Sequence, residues 1–118
     1  MVIAAGLGLA FVAGAGAAES GARPPLGRYT CYQFDPTSGY LPAGFFKLLT
    51  TSTYKLFNGE NGRYAYNAAT RKITWLSGPY KRYRYRGEYQ PKGTHGHKSN
   101  TIVVLGPDYV KLECSTGK

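Results

Sequence analysis

Residues 53–76 read TYKLFNGENGRYAYNAATRKITWL, and this stretch decides the fold. Three short runs rich in strand-forming residues, Thr53–Phe57, Gly62–Asn67 and Lys72–Leu76, are separated by two short turns. Asn58-Gly59-Glu60-Asn61-Gly62 carries two glycines able to take positive φ, and Asn67–Arg71 makes the second turn. Strands joined by turns this short must run antiparallel, so the stretch is a meander.

The same alternation of strand formers and turn residues extends in both directions. Strands are expected at Gly27–Phe34, Phe45–Thr50, Lys81–Tyr89, Thr101–Leu105 and Tyr109–Cys114, with Ser77-Gly78-Pro79 and Gly106-Pro107-Asp108 as turns. No window places apolar residues at i, i+3, i+4 and i+7, so no helix is expected. The longest breaks are Asp35–Gly44 and Gln90–Asn100, and long loops are where function tends to sit. Eight strands in about ninety residues predict an all-β domain, either a small antiparallel meander barrel or a strongly coiled sheet.

Met1 to Ala18 contains no charged side chain and ends Ala15-Gly16-Ala17-Ala18 after an apolar core that includes Leu7, Leu9, Phe11 and Val12. It reads as a secretory signal peptide, 1–18, although the basic residues that normally open one are missing, as they would be from a truncated start. The competing reading is a retained anchor, for which the stretch is short against the roughly 20 residues of a bilayer span. Residues 19–25 read as a flexible linker and 26–118 as a single β-domain. A secreted or periplasmic location makes the only two cysteines, Cys31 and Cys114, an expected disulfide. A closed meander sets its first and last strands side by side, as that bond needs. Face parity agrees, since Cys114 alternates in step with Val110 and Leu112, and Cys31 with Tyr29.

Gly-x-Tyr occurs three times, at Gly27-Arg28-Tyr29, Gly62-Arg63-Tyr64 and Gly87-Glu88-Tyr89, at unequal spacings that mark a recurring strand device rather than a repeat. With Gly27-Arg28-Tyr29 in its first strand, the chain resembles the calycin group of small antiparallel barrels, lipocalins among them, which carry Gly-x-Trp at that place. Lys111, late in the last strand, stands for their terminal basic residue that caps the aromatic ring. The chain departs from them in having Tyr for Trp and in lacking a C-terminal helix. The resemblance implies a carrier with a small apolar ligand inside the barrel, here lined by Tyr64, Tyr66, Trp75, Tyr83 and Tyr85.

Fifteen Lys and Arg against six Asp and Glu give a formal net charge of +9, which points to polyanionic neighbours or to solubility. The densest stretch is Tyr80–Lys98. Read as a strand, Lys81–Tyr89 places Arg82, Arg84 and Arg86 on one face and Tyr83, Tyr85 and Tyr89 on the other. Alternate residues about 7 Å apart match successive phosphates or sulfates on an extended polyanion, which arginine grips bidentately. Arg82, Arg84, Arg86, Lys92 and Lys98 are therefore the candidate binding residues, for an anionic polymer or envelope surface. The plainer alternative is a solvated face, partly paired with Glu60 or Glu88. Rings and arginines on opposite faces argue against stacking on nucleic acid. A third use, inhibition or host contact through the Gln90–Asn100 loop, has no supporting motif.

His95-Gly96-His97 has no third metal ligand nearby and is flanked by Lys92 and Lys98, so no metal and no cofactor are expected. Ser99, His97 and Asp108 supply the residue types of a catalytic triad without a strand–nucleophile–helix turn, and no enzyme is expected.

Overall fold

The computed structural model describes residues 22–117; the expected signal peptide, Met1–Ala18, and Glu19–Gly21 of the expected linker lie outside the described residues. The strands are β1 (Gly27–Asp35), β2 (Gly39–Leu48), β3 (Thr53–Leu56), β4 (Asn61–Asn67), β5 (Lys72–Trp75), β6 (Arg86–Gln90), β7 (Thr101–Leu105) and β8 (Lys111–Ser115). One short helix, α1 (Pro79–Arg82), stands between β5 and β6. Each strand pairs antiparallel with the next and β8 returns to β1, closing an eight-stranded barrel. The fold is the expected all-β meander.

Because every connection reverses the chain, the two ends of the barrel collect different segments. One end, the entry end, gathers residues 22–26, the connections 49–52, 68–71 and 91–100, and the end of β8. The other, the helix end, gathers 36–38, 57–60, 76–85 and 106–110.

Period-2 alternation decides what goes inside. Tyr29 and Cys31 of β1, Phe46 and Leu48 of β2, Tyr54 and Leu56 of β3, and Tyr64 of β4 are all buried. So are Ile73 and Trp75, Tyr89, Ile102 and Val104, and Leu112 and Cys114 on the later strands. Charged side chains take the outward positions, the reverse of a barrel that spans a bilayer.

At two of its three occurrences the Gly-x-Tyr device has a packing reason. At Gly62 and Gly87 the missing side chain leaves room for rings from neighbouring strands, whereas Gly27, at φ 120, has open space beside it. A Cβ on Gly62 would sit 2.4 Å from Tyr54 Cε1, and one on Gly87 3.2 Å from Trp75 Cζ2. Tyr29, Tyr64 and Tyr89 bury their rings while their hydroxyls donate to Pro25 O (2.7 Å), Thr50 O (2.8 Å) and Asn100 Oδ1 (2.9 Å). Burial is what pushes the Tyr29 phenol well above its ordinary range, with the neighbouring Tyr89 and Tyr64 adding to it.

Cys31 lies opposite Cys114 in the β1–β8 register, and the two form a disulfide across 83 residues of sequence. The bond fastens the seam where the barrel closes, and bonds of this kind form and persist in oxidising environments outside the cytoplasm.

Two element boundaries differ from expectation by more than two residues. Lys81–Tyr89 is not one strand: Gly78 takes φ 87, Pro79 opens α1, and the chain rejoins the sheet only at Arg86. Burial of Tyr80 decides this, because its ring covers the helix end against Trp75 (4.9 Å between centroids) and Phe46 (5.7 Å). That gain outweighs the strand propensity of the alternating Tyr and Arg residues. The second strand also starts earlier, at Gly39 rather than Phe45. Asp35 Oδ1 accepts from the backbone N–H groups of Thr37 and Ser38 and closes a tight hairpin. Pro42 fits because β2 at that level has β1 as its only ladder neighbour; pairing with β3 covers Phe46–Leu48.

Residues 22–25, the rest of the expected linker, lie against the entry end. Pro24 is buried, Tyr66 donates to Ala22 O (3.2 Å), and Arg23 donates to Thr51 O (2.8 Å).

Candidate functional site

The outer face of β1–β4 carries a row of cations that is set by strand register. Arg28 pairs with Lys47 in the β1–β2 ladder and Lys47 with Lys55 in the β2–β3 ladder, so three like charges stand abreast on adjacent strands. The register has a local cause: Thr50 Oγ1 accepts from the N–H groups of Ser52 (3.1 Å) and Thr53 (3.0 Å), closing the β2–β3 turn tightly. Inward Phe46 and Leu48, and Tyr54 and Leu56, force Lys47 and Lys55 outward between them.

Apolar and polar rows flank the cations. On one side Thr30 pairs with Phe45, whose ring lies 6.2 Å from that of Phe57, and the Arg28 guanidinium sits 3.9 Å from the centre of the Phe45 ring. On the other side Leu49 meets Thr53, which pairs with Arg63. A depression of about 400 Å³ there is lined by Leu49, Thr53, Asn61, Gly62, Arg63 and Ser77. Arg28, Lys47, Lys55 and Arg63 are all exposed, as are Leu49 (45%) and Phe57 (57%). None of the residues in these rows is acidic. Like charges directly opposite one another destabilise a sheet, so the row is electrostatically incomplete by itself.

The residues expected to bind do not form a ladder. Arg82 ends α1 and its Nη2 lies 2.6 Å from Glu60 Oε2 in the β3–β4 turn. That hydrogen bond holds the Glu60 carboxyl below its usual range and the Arg82 guanidinium above its own. Arg84 lies in the return from the helix at φ 60, and Arg86 opens β6. Lys81, Arg84 and Arg86 come together around a depression of about 270 Å³ with Ile73, Thr74, Trp75 and Tyr85. Lys92 and Lys98 lie in the 91–100 connection at the opposite, entry end, beside Ser99, Asn100 and Thr116. The five residues thus divide between the two ends of the barrel.

The expected interior set divides as well. Tyr64 and Trp75 are buried in the core, Tyr66 and Tyr85 are partly buried against it, and Tyr83 is exposed at 47%. The barrel axis is occupied by the protein's own rings, with Tyr29 stacked on Phe46 (5.4 Å) and Trp75 edge-on to Tyr54 (4.9 Å) and Phe46 (5.9 Å). Lys111 stands exposed outside the barrel beside Tyr32, Phe34, Tyr40 and Glu113, and Tyr29 donates its hydroxyl to Pro25 O instead.

His97 Nε2 lies 2.7 Å from Gln90 Oε1 beneath the 91–100 connection, and a depression of about 460 Å³ runs from His97 and Ser99 past Tyr32 and Glu113. Asp108 belongs to the helix end, away from His97 and Ser99. Among the described residues no three His, Cys, Asp or Glu side chains are grouped to hold a metal ion, and no helix is long and apolar enough to cross a membrane.

Compared with known proteins, the chain matches no family model, no curated protein and no solved structure. The lipocalin resemblance extends to the closed eight-stranded antiparallel barrel and no further.

Proposed function

We propose that this chain is an exported, non-catalytic binding protein that holds an anionic cell-envelope surface against the outer face of β1–β4. The observation that carries the reading is the in-register row Arg28–Lys47–Lys55, extended by Arg63 in the neighbouring row. Three cations abreast repel one another until an anionic partner lies over them, and binding is what relieves the repulsion. A Lys or Arg close to an anionic membrane surface contributes about 1 kcal/mol, so the four together contribute about 4 kcal/mol. Exposed Leu49 and Phe57 add apolar surface that leaves water at a lipid boundary.

The disulfide supports the compartment, and the ring-filled axis supports an outer rather than an interior ligand site. The carrier alternative requires a ligand to displace rings such as Trp75 and Tyr64. The test is sedimentation with phosphatidylglycerol-containing vesicles against neutral phosphatidylcholine vesicles, with dextran sulfate as a polymer arm. Binding to the anionic vesicles, lost on replacing Arg28, Lys47, Lys55 and Arg63 by Ser, supports the reading. Equal binding to both vesicle types, or an unaffected quadruple variant, overturns it. Binding to dextran sulfate alone moves the partner from lipid to polymer.

A further inference from the structure

Four of the buried core tyrosines are hydrogen-bonded through their hydroxyls. Tyr29, Tyr64 and Tyr89 have the partners given above, and Tyr54 donates to Ser77 O (2.9 Å) while accepting from the Tyr80 N–H (3.0 Å). Trp75 Nε1 is different. It is the one buried side-chain nitrogen or oxygen among the described residues with no hydrogen-bond partner. A buried donor left unpaired is costly and points to a missing group.

The surroundings show where that group would enter. β5 and β6 share two register pairs, Lys72↔Glu88 and Ile73↔Gly87. Beyond them the strands part, because the chain leaves β5 at Trp75, runs through α1 and rejoins at Arg86. The indole edge that carries Nε1 and Cζ2 faces β6, where a Cβ on Gly87 would lie 3.2 Å from Cζ2. Trp75 lines the resulting opening of about 270 Å³, and Lys81, Arg84 and Arg86 line it too. No carboxylate lines it, and the nearby Glu60 pairs with Arg82. Arg84 is held at φ 60, a conformation uncommon for a residue with a side chain.

We infer that the parting of β5 and β6 is a site for a phosphate- or sulfate-type oxyanion, bound by Lys81, Arg84 and Arg86 and accepting the Trp75 indole N–H. Three cations around a small opening, with one neutral donor buried behind it on Trp75, match the several acceptor oxygens of such a group. The opening is below the roughly 300–1,000 Å³ of sites for drug-sized ligands, which fits a free ion or a small monoester. The site uses other residues than the outer face of β1–β4 and does not rest on that reading.

Trp75 is the only tryptophan, so ¹⁵N-labelled full-length protein gives one indole N–H signal. Inorganic phosphate and glycerol phosphate are titrated against it at constant ionic strength, with glycerol as the neutral control. The expected result is a saturable downfield shift with phosphate, removed by Arg84→Ser with Arg86→Ser and retained when Arg28, Lys47 and Lys55 are replaced by Ser. Should the Arg84 and Arg86 variant fail to fold, Lys81→Ser is expected to weaken the phosphate response several-fold. A shift only with glycerol phosphate assigns the site to monoesters. No saturable shift with either anion, or an unchanged shift in the variants of Lys81, Arg84 and Arg86, overturns the proposal. Vesicle binding reads the other face and is unaffected by either outcome.

Discussion

Lys47 faces Lys55 across the β2–β3 ladder and has Arg28 directly opposite on its other side. A strand position with a cation on both flanks is one where an acidic residue would suit the fold better than the lysine present.

Lys47→Glu converts two repulsive cross-strand pairs into two attractive ones and is expected to stabilise the barrel by roughly 0.2–1 kcal/mol for each pair. Binding to anionic vesicles is expected to move the other way. A change of two charges near the surface corresponds to about 2 kcal/mol, or about thirty-fold in affinity. Urea denaturation and vesicle sedimentation on the same preparation check the pair of effects. A variant that loses stability and keeps its binding contradicts the account.

The divergence between sequence and structure is physical. Inward residues such as Tyr54, Tyr64 and Trp75 alternate with polar neighbours, so the strands and the antiparallel meander are legible from pattern, while a closed barrel and a coiled sheet share that pattern. The Cys31–Cys114 pairing follows once the meander closes. The Arg28–Lys47–Lys55 row is different, because each cation looks like an ordinary outward residue and the row exists only through register. That register depends on the Thr50 turn and on the irregularity between Thr30 and Tyr32, neither of which has a strong sequence signature. At Lys81–Tyr89 the regular alternation misleads, since covering the helix end with Tyr80 matters more than extending the strand. Gly78-Pro79 is the signal that marks the departure.

Replacing Cys31 and Cys114 by Ser removes a link that closes 83 residues of sequence. Chain-entropy reasoning puts the loss near 4.5 kcal/mol, a large share of the stability of a domain this size. Comparing urea midpoints of the oxidised protein and the double variant measures it. A difference under about 1 kcal/mol would show that closure of the barrel does not depend on the bond.

Trp75→Ala should cost about 3–5 kcal/mol, since the ring packs against Phe46, Tyr54, Tyr64 and Tyr80 at once. Native Trp75 emission should be blue-shifted relative to the unfolded chain. An emission maximum unchanged on unfolding would place the ring in water.

Alkali should unfold the protein through its buried phenols. Desolvation raises Tyr29 and Tyr80 in the folded state above the ordinary tyrosine value of 10.0. The unfolded chain therefore ionises first, so their contribution is complete below pH 10 and declines as pH rises from there towards the raised folded values. Absorbance of tyrosinate should develop in part with the native fold and finish only as circular dichroism reports unfolding. Complete ionisation with the native signal intact would contradict the burial of these rings.

The most direct test of the outer face is the affinity for phosphatidylglycerol vesicles across a salt series from about 0.05 to 0.5 M, over which the screening length falls from somewhat above to well below 10 Å. The account predicts steep loss of binding with salt in the native protein and a nearly flat, weak response after replacement of Arg28, Lys47, Lys55 and Arg63 by Ser. A native protein whose binding is indifferent to salt, or whose salt dependence survives those four substitutions, would contradict it.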